Sequence, residues 1–466
     1  MINDLVSRQR AKLRQVWLIR NLQEWLDTRM APGGLLRPIG VLVGGTAVAQ
    51  LIGIVATPLL TRLYSTSAYG TLQLYSSVAL FFIPISSLRY EMAIVLAADD
   101  VTAAGVAVAS AICTLGTTAV VAIAVLLLRD QPWVAQRIGP IVPFLWLVPI
   151  ALLFGGGYQA FTYWGLRRSR YRELARTKLT QAGTSACVQL GSGLAHVGAV
   201  GLVAGDLLGR CAGCLHLLRD VRRWDGGRFR DLAWRDVVAA ARRYIRFPLV
   251  SSFSALINTG GSSLPMVLVG VYYGPEVLGW FGIADRAMGL PAMLIGQAAG
   301  QVFLRFAAPT AESSPEQVEA LFRKSLRALL RVGFLPHVLI AVAGPFIFSL
   351  VFGARWHQAG VYASALSLMY FVGFASWPLM LTLNMLELQS WQLGWDVGRL
   401  LLVVGALLLA HTQHWTAMQA ILAYGAAMLV GYAANILLCH RAIRWKIHQR
   451  RKRAAAAPPA PSPAPV

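Results

Sequence analysis

Charge is scarce in this chain, and negative charge is scarcest: 13% of its 466 residues are charged, with 20 Asp and Glu against 42 Lys and Arg. Soluble domains carry about 25% charged residues, so a water-facing surface over most of the chain is excluded. Cysteine is also rare. The five, Cys113, Cys187, Cys211, Cys214 and Cys439, all fall in apolar segments, which argues against a disulfide framework. Cys211-x-x-Cys214 has no second pair and no acid cluster beside it, and reads as packing rather than metal or redox chemistry. A phosphate loop, HExxH and GxSxG are all missing, and Gly191-Ser-Gly193 lacks both the third glycine and the strand of a dinucleotide fingerprint. No enzyme, cofactor or metal site is expected. No cleavable signal peptide is evident, because the first long apolar run, near residue 38, is of spanning length rather than the ~7 to 15 of a signal core.

Apolar sequence is what the chain has in abundance, with 56% hydrophobic residues and a mean hydropathy of +0.57. It reads as an all-α, polytopic membrane protein. Crossing ~30 Å of hydrocarbon takes about 20 apolar residues. Twelve stretches qualify: 38–60, 70–96, 103–128, 139–162, 177–196, 198–218, 247–272, 277–304, 326–351, 360–385, 393–411 and 415–439. Gly201, Gly205, Gly209 and Gly213, at a strict spacing of four, give one of them a smooth face for close packing.

The formal charge of +22 would suggest nucleic acid in a soluble domain, yet the basic residues sit in short segments between apolar runs. That is the positive-inside pattern, and nucleic acid is not an expected partner. Arg167 to Lys178, Arg219 to Arg246, Arg323 to Arg331 and Arg441 to Arg453 are dense in Arg and Lys, whereas the intervening loops hold Arg62, Arg129, Arg137 and Arg355. Both termini are therefore expected in the cytoplasm. The opposite loops are short, which leaves no extramembrane platform of the kind a membrane glycosyltransferase or polymerase needs. The expected divisions are a basic amphipathic segment (1–35), an N-terminal six-helix lobe (36–218), a basic interlobe loop (219–246), a C-terminal six-helix lobe (247–440), and a basic then Pro/Ala-rich disordered tail (441–466).

A weak repeat relates the lobes. Tyr64-Ser-Thr-Ser-Ala-Tyr-Gly70 aligns with Tyr273-Gly-Pro-Glu-Val-Leu-Gly279 at an offset of 209, with Pro58 and Pro265 before the turns and Pro84 and Pro291 after them. Duplicated lobes commonly build a site at their interface near the midplane. Proline inside a span frees backbone carbonyls, which is tolerable only against protein or a wet cavity, so these hairpins are expected to line the cleft.

On these residues the chain resembles the Wzx-type polysaccharide and O-antigen flippases of the multidrug/oligosaccharidyl-lipid/polysaccharide (MOP) exporter superfamily. The matching stretches are TPLLTRLYSTSAYGTLQLY, SLRYEMAIVLAADD, LPMVLVGVYYGPEVLGWFGIADRAMGLPAMLIGQAAGQVF, VFGARWHQAGVYA and LNMLELQSWQLGWDVGRLLL. The resemblance implies a V-shaped transporter in the bacterial inner membrane. It also implies a polyprenyl-pyrophosphate-linked glycan as cargo, moved from the cytoplasmic to the periplasmic leaflet, with membrane lipids and glycan-assembly proteins such as a polymerase as partners.

Such a cargo needs a cleft for its anionic head, and arginine can fork two hydrogen bonds onto phosphate oxygens. The intramembrane candidates are Arg89, Arg210, Arg286 and Arg399. Arg89 either serves or snorkels to headgroups beside Glu91. Arg210 and Arg399 either serve or neutralise Asp206 and Asp396 on their own helices. Arg286 follows Asp285 and points about 100° away from it; it is a pyrophosphate ligand or half of an ion pair to another helix. Gln50, Asn258, Gln297, Gln301 and Asn384 bond either sugar hydroxyls or neighbouring helices. Without a nucleotide site, coupling falls to a gradient or to consumption of product, with Asp285, Asp206 and Glu91 as candidate proton or ion carriers. Two other functions fit the same sequence: a cation-coupled drug antiporter of the same superfamily, and a non-transporting component of a polysaccharide export complex.

Overall fold

The computed structural model describes residues 36–456 apart from 133, 135, 137, 138 and 312. The expected amphipathic segment at 1–35, the end at 457–466 and Arg137 lie outside the described residues. The first half holds α1 (Leu36–Leu63), α2 (Thr66–Phe82), α3 (Asp100–Leu128), α4 (Leu147–Arg167), α5 (Tyr171–Leu194) and α6 (Ala199–Arg230). A short α7 (Trp234–Arg243) leads to α8 (Ser252–Ala307), α9 (Pro315–Phe352), α10 (His357–Leu379), α11 (Gln389–Thr412) and α12 (Ala417–Ala456).

Among the described residues nine stretches are long and apolar enough to cross a bilayer, against the twelve expected from the sequence. The difference has two physical sources. One stretch, Phe247–Thr310, is 64 residues long and counts once. Yet Gly274, at φ 87° and ψ 171°, breaks α8 into two arms, and Gly270 packs on Leu278 as antiparallel arms require. That backbone conformation favours glycine. The other source is composition: α4 and α5 are not among the nine, and α5 carries Arg172, Glu173, Arg176, Lys178 and several Thr and Gln.

Packing joins α5 to α1 and α6, α4 to α3 and α6, α10 to α8, α9 and α12, and α11 to α12. The glycine stripe of α6 lets α5 approach closely. A Cβ at Gly205 or Gly213 would collide with the side chains of Gln189 or Gln181, and one at Gly209 would stand 2.9 Å from the Gln181 carbonyl oxygen. The halves meet most extensively through α2 and α8. There the two aligned turns touch reciprocally: a Cβ at Gly70 would strike the carbonyl of Pro275, and one at Gly279 would strike the carbonyl of Thr66. Thr66 and Pro275, like Gly70 and Gly279, are 209 residues apart. The weak repeat thus produces a self-complementary contact of the kind a two-fold relation makes.

Three expected segments differ in form. The span at 70–96 ends early: α2 stops at Phe82, and tight turns at Ile83–Ile85 and Tyr90–Met92 follow, with Leu88 (φ 50°) and Arg89 (φ 61°) left-handed. The basic stretch at 219–246 is helical rather than a loop. Buried Asp225 anchors it, accepting hydrogen bonds from Trp164 Nε1 at 3.1 Å and Arg228 Nη1 at 2.7 Å, with Arg170 Nη2 at 3.0 Å. Val237 and Ala240 then bury one face of α7 against α3. The basic residues from Arg441 onward are also helical, extending α12 to Ala456, with His440 on Glu319 at 2.9 Å and Arg450 on Glu316 at 3.2 Å tying it to α9.

Candidate functional site

A cavity of 620 Å³ lies inside the first half, walled by α1, α2, α4, α5 and α6 and completed by the second arm of α8. Its size is within the ~300–1,000 Å³ of small-ligand sites. One face of α5 supplies Lys178, Gln181, Ser185 and Gln189, spaced three or four residues apart so that all four point the same way. From α6 come Asp206 and Arg210, from α1 Thr46 and Gln50, from α4 Tyr158 and Gln159, and from α8 Arg286 and Leu290.

The charges are unevenly paired. Arg210 forks onto Asp206, Nε to Oδ2 at 2.8 Å and Nη2 to Oδ1 at 3.2 Å, so these two neutralise each other as a pair on one helix can. Among the described residues no carboxylate stands within 4.0 Å of Lys178 or Arg286, and neither side chain hydrogen-bonds to protein. The Arg286 guanidinium projects against α1, where a Cβ at Gly53 would come within 3.3 Å of Nη2. Two unpaired cations and a neutralised pair leave the cavity a net charge of two positives. Gln189 Nε2 donates to the Leu202 carbonyl at 3.0 Å, while buried Gln159 Oε1 has no partner.

Asp285 and Arg286 part company as the helix geometry requires. Arg286 enters the first-half cavity, whereas Asp285 turns into the second half and accepts a hydrogen bond from Tyr370 Oη of α10 at 2.5 Å. Arg399 also belongs to the second half. It stands 3.5 Å from Asp396, lies 4.8 Å over the Trp395 ring and packs against Gly261.

Of the residues expected from the sequence, Gln50, Asp206, Arg210 and Arg286 come together here. Arg399, Asn258, Gln297, Gln301 and Asn384 do not line this cavity, and the four amides are exposed. Nor do Arg89 and Glu91. Arg89 sits in the turn after α2 with Nη1 3.6 Å from Glu91 Oε1, and Ser87 hydrogen-bonds Glu91. Lys178, Gln159, Gln181, Gln189 and Tyr370 were not anticipated. The spacing of the four polar residues on α5 is the signal that could have found most of them.

Hydrogen bonds across the halves close the molecule at the end bearing the turns after α1 and α9. Trp356 Nε1 donates to the Thr61 carbonyl at 2.8 Å and Arg355 Nη1 to the Tyr64 carbonyl at 3.3 Å, while within the second half Trp280 Nε1 donates to the Arg355 carbonyl at 3.2 Å. Tyr64 Oη in turn donates to the Gln189 carbonyl at 2.6 Å, and Tyr69 meets Trp356 edge to face.

Residues 59–361 match the family described as polysaccharide biosynthesis protein. The fold is similar to that of the lipid II flippase MurJ in an inward closed conformation, with a TM-score of 0.63 and 10% identity over 88% of this chain and 92% of that one. It is also similar to the inward-facing conformation of a multidrug resistance MATE family transporter of the MOP superfamily, with a TM-score of 0.60 and 14% identity over 92% and 98%. A MOP superfamily transporter from Pyrococcus furiosus gives a TM-score of 0.51 and 15% identity over 90% and 94%. No curated protein matches the sequence.

Proposed function

Because the chain belongs to the polysaccharide biosynthesis protein family and has the MOP fold, that of a transporter rather than an enzyme, we propose that it flips a polyprenyl-pyrophosphate-linked oligosaccharide across the bacterial inner membrane. The head travels in the cavity and the polyprenyl tail stays in lipid. Movement is from the cytoplasmic to the periplasmic leaflet, by rocking of two lobes, residues 36–218 and 247–440, with both termini in the cytoplasm. The positive-inside distribution of Lys and Arg supports that orientation.

The observation that carries the reading is the unpaired Lys178 and Arg286 in one amide-rich cavity inside the first half, to which α8 contributes Arg286. Paired charges would leave nothing to attract a pyrophosphate; unpaired ones bind it through charge-assisted hydrogen bonds. Transport outward of two negative charges is favoured by the membrane potential, about 2.3 kcal/mol per charge per 100 mV. Of the three carboxylates considered for ion coupling, Asp206 and Glu91 each face an arginine, while Asp285 faces the neutral Tyr370. Asp285 is therefore the best placed for that role. Glycan polymerase and other assembly proteins are the natural partners of such a flippase.

The test is Arg286→Glu, made in cells that produce the glycan. The reading expects lipid-linked glycan to accumulate on the inner leaflet while the protein remains in the membrane at normal abundance. Unimpaired glycan export in that variant would overturn the assignment.

A further inference from the structure

We propose that the cavity selects glycans whose first sugars, next to the pyrophosphate, are neutral, and that Asp206 is the residue that rejects acidic ones. This inference rests on the flippase reading and narrows its cargo.

A pyrophosphate diester carries two negative charges, and the cavity offers two unpaired cations, Lys178 and Arg286. Those positives are satisfied by the linkage alone. The third cation, Arg210, is already held by both oxygens of Asp206, so no positive charge is left for a uronate or other acidic sugar. Such a sugar would instead confront Asp206, the one carboxylate lining the cavity among the described residues. To be held there it would have to displace Asp206 from Arg210, at the cost of both charge-assisted hydrogen bonds of that pair.

Neutral sugars need no cation, and the amides of Gln50, Gln159 and Gln181 that line the cavity are of the type that bonds sugar hydroxyls. The cavity's 620 Å³ admits the linkage and the sugars nearest to it rather than a long repeat unit, so the selection applies to those first sugars.

The experiment uses the full chain in lipid vesicles with two synthetic probes on the same polyprenyl diphosphate. One is an N-acetylhexosamine–hexose disaccharide; the other differs only in having a uronic acid as its second sugar. Wild-type protein is expected to move the neutral probe at least ten-fold faster. Asp206→Asn, which frees Arg210, is expected to raise the rate for the acidic probe and to shrink the ratio below about three. Should Asp206→Asn fail to fold, Gln159→Glu tests the same idea from the opposite side by lowering the acidic rate further. Equal wild-type rates, or a faster acidic probe, overturn the selectivity proposal while leaving the flippase reading intact. Movement of neither probe, by folded wild-type protein, overturns the flippase reading and this inference with it.

Discussion

The two halves differ in how far their intramembrane charges are paired. In the first half, Lys178 and Arg286 enter a cavity and are left without carboxylate partners. In the second, Asp396 and Arg399 face each other at 3.5 Å, Trp395 stacks under the guanidinium, and Tyr370 satisfies Asp285. Unpaired intramembrane charge is expensive and persists where a ligand or water compensates it. Paired charge is a structural element whose loss is felt as instability. One helix carries both behaviours at neighbouring positions: α8 presents Arg286 to the first half and Asp285 to the second.

Substitutions can break this comparison, and the largest effect is expected in the second half. Asp396→Ala leaves Arg399 buried beside no carboxylate and should cost about 3–5 kcal/mol of stability, read as a fall in melting temperature of the detergent-solubilised protein. Arg286→Glu should do the reverse, leaving the melting temperature within a few degrees while slowing glycan transport by ~100-fold or more, since a like charge about 4 Å from a phosphate costs several kcal/mol even at an effective dielectric near 20.

Next in size, Tyr370→Phe strands one oxygen of Asp285 and should cost about 1–3 kcal/mol in thermal stability. If Asp285 also couples transport to an ion gradient, the same variant will change the dependence of rate on that gradient. A transport defect at unaltered stability would show that Asp285 belongs with the cavity rather than with the second-half scaffold. The smallest effect is expected at Gln297→Ala: the side chain is exposed and outside the cavity, so transport rate and stability should both stay within about two-fold and 0.5 kcal/mol of wild type.

Much of this was legible in the sequence, for reasons that can be traced to particular residues. Helix geometry alone separates Asp285 from Arg286 by about 100°, and the structure sends them to different halves. The spacing of four in Gly201 to Gly213 announced the close approach of α6, and the turns at Tyr64–Gly70 and Tyr273–Gly279 do meet. Lys178 was hidden because it closes a run of basic residues that reads as a loop; α5 begins at Tyr171 and carries it inside. Tyr370 was hidden because an aromatic in an apolar span looks the same whether its hydroxyl finds a carboxylate or not. The break after Phe82 was hidden because the left-handed residues there, Leu88 and Arg89, are not of the type that marks such a turn. The helical form of 219–230 depends on Asp225 meeting Trp164 and Arg170 from another part of the chain, a tertiary event that local composition does not record.

The central claim is that Lys178 and Arg286 together hold the pyrophosphate of a lipid-linked glycan. It is tested most directly by measuring transbilayer movement of a fluorescent polyprenyl-diphosphate disaccharide in vesicles containing the wild type, each single Gln variant, or Lys178→Gln combined with Arg286→Gln. The account predicts that each single change slows movement and that the double variant falls to the rate of protein-free vesicles, with all proteins folded. A double variant that moves the probe at the wild-type rate would contradict it.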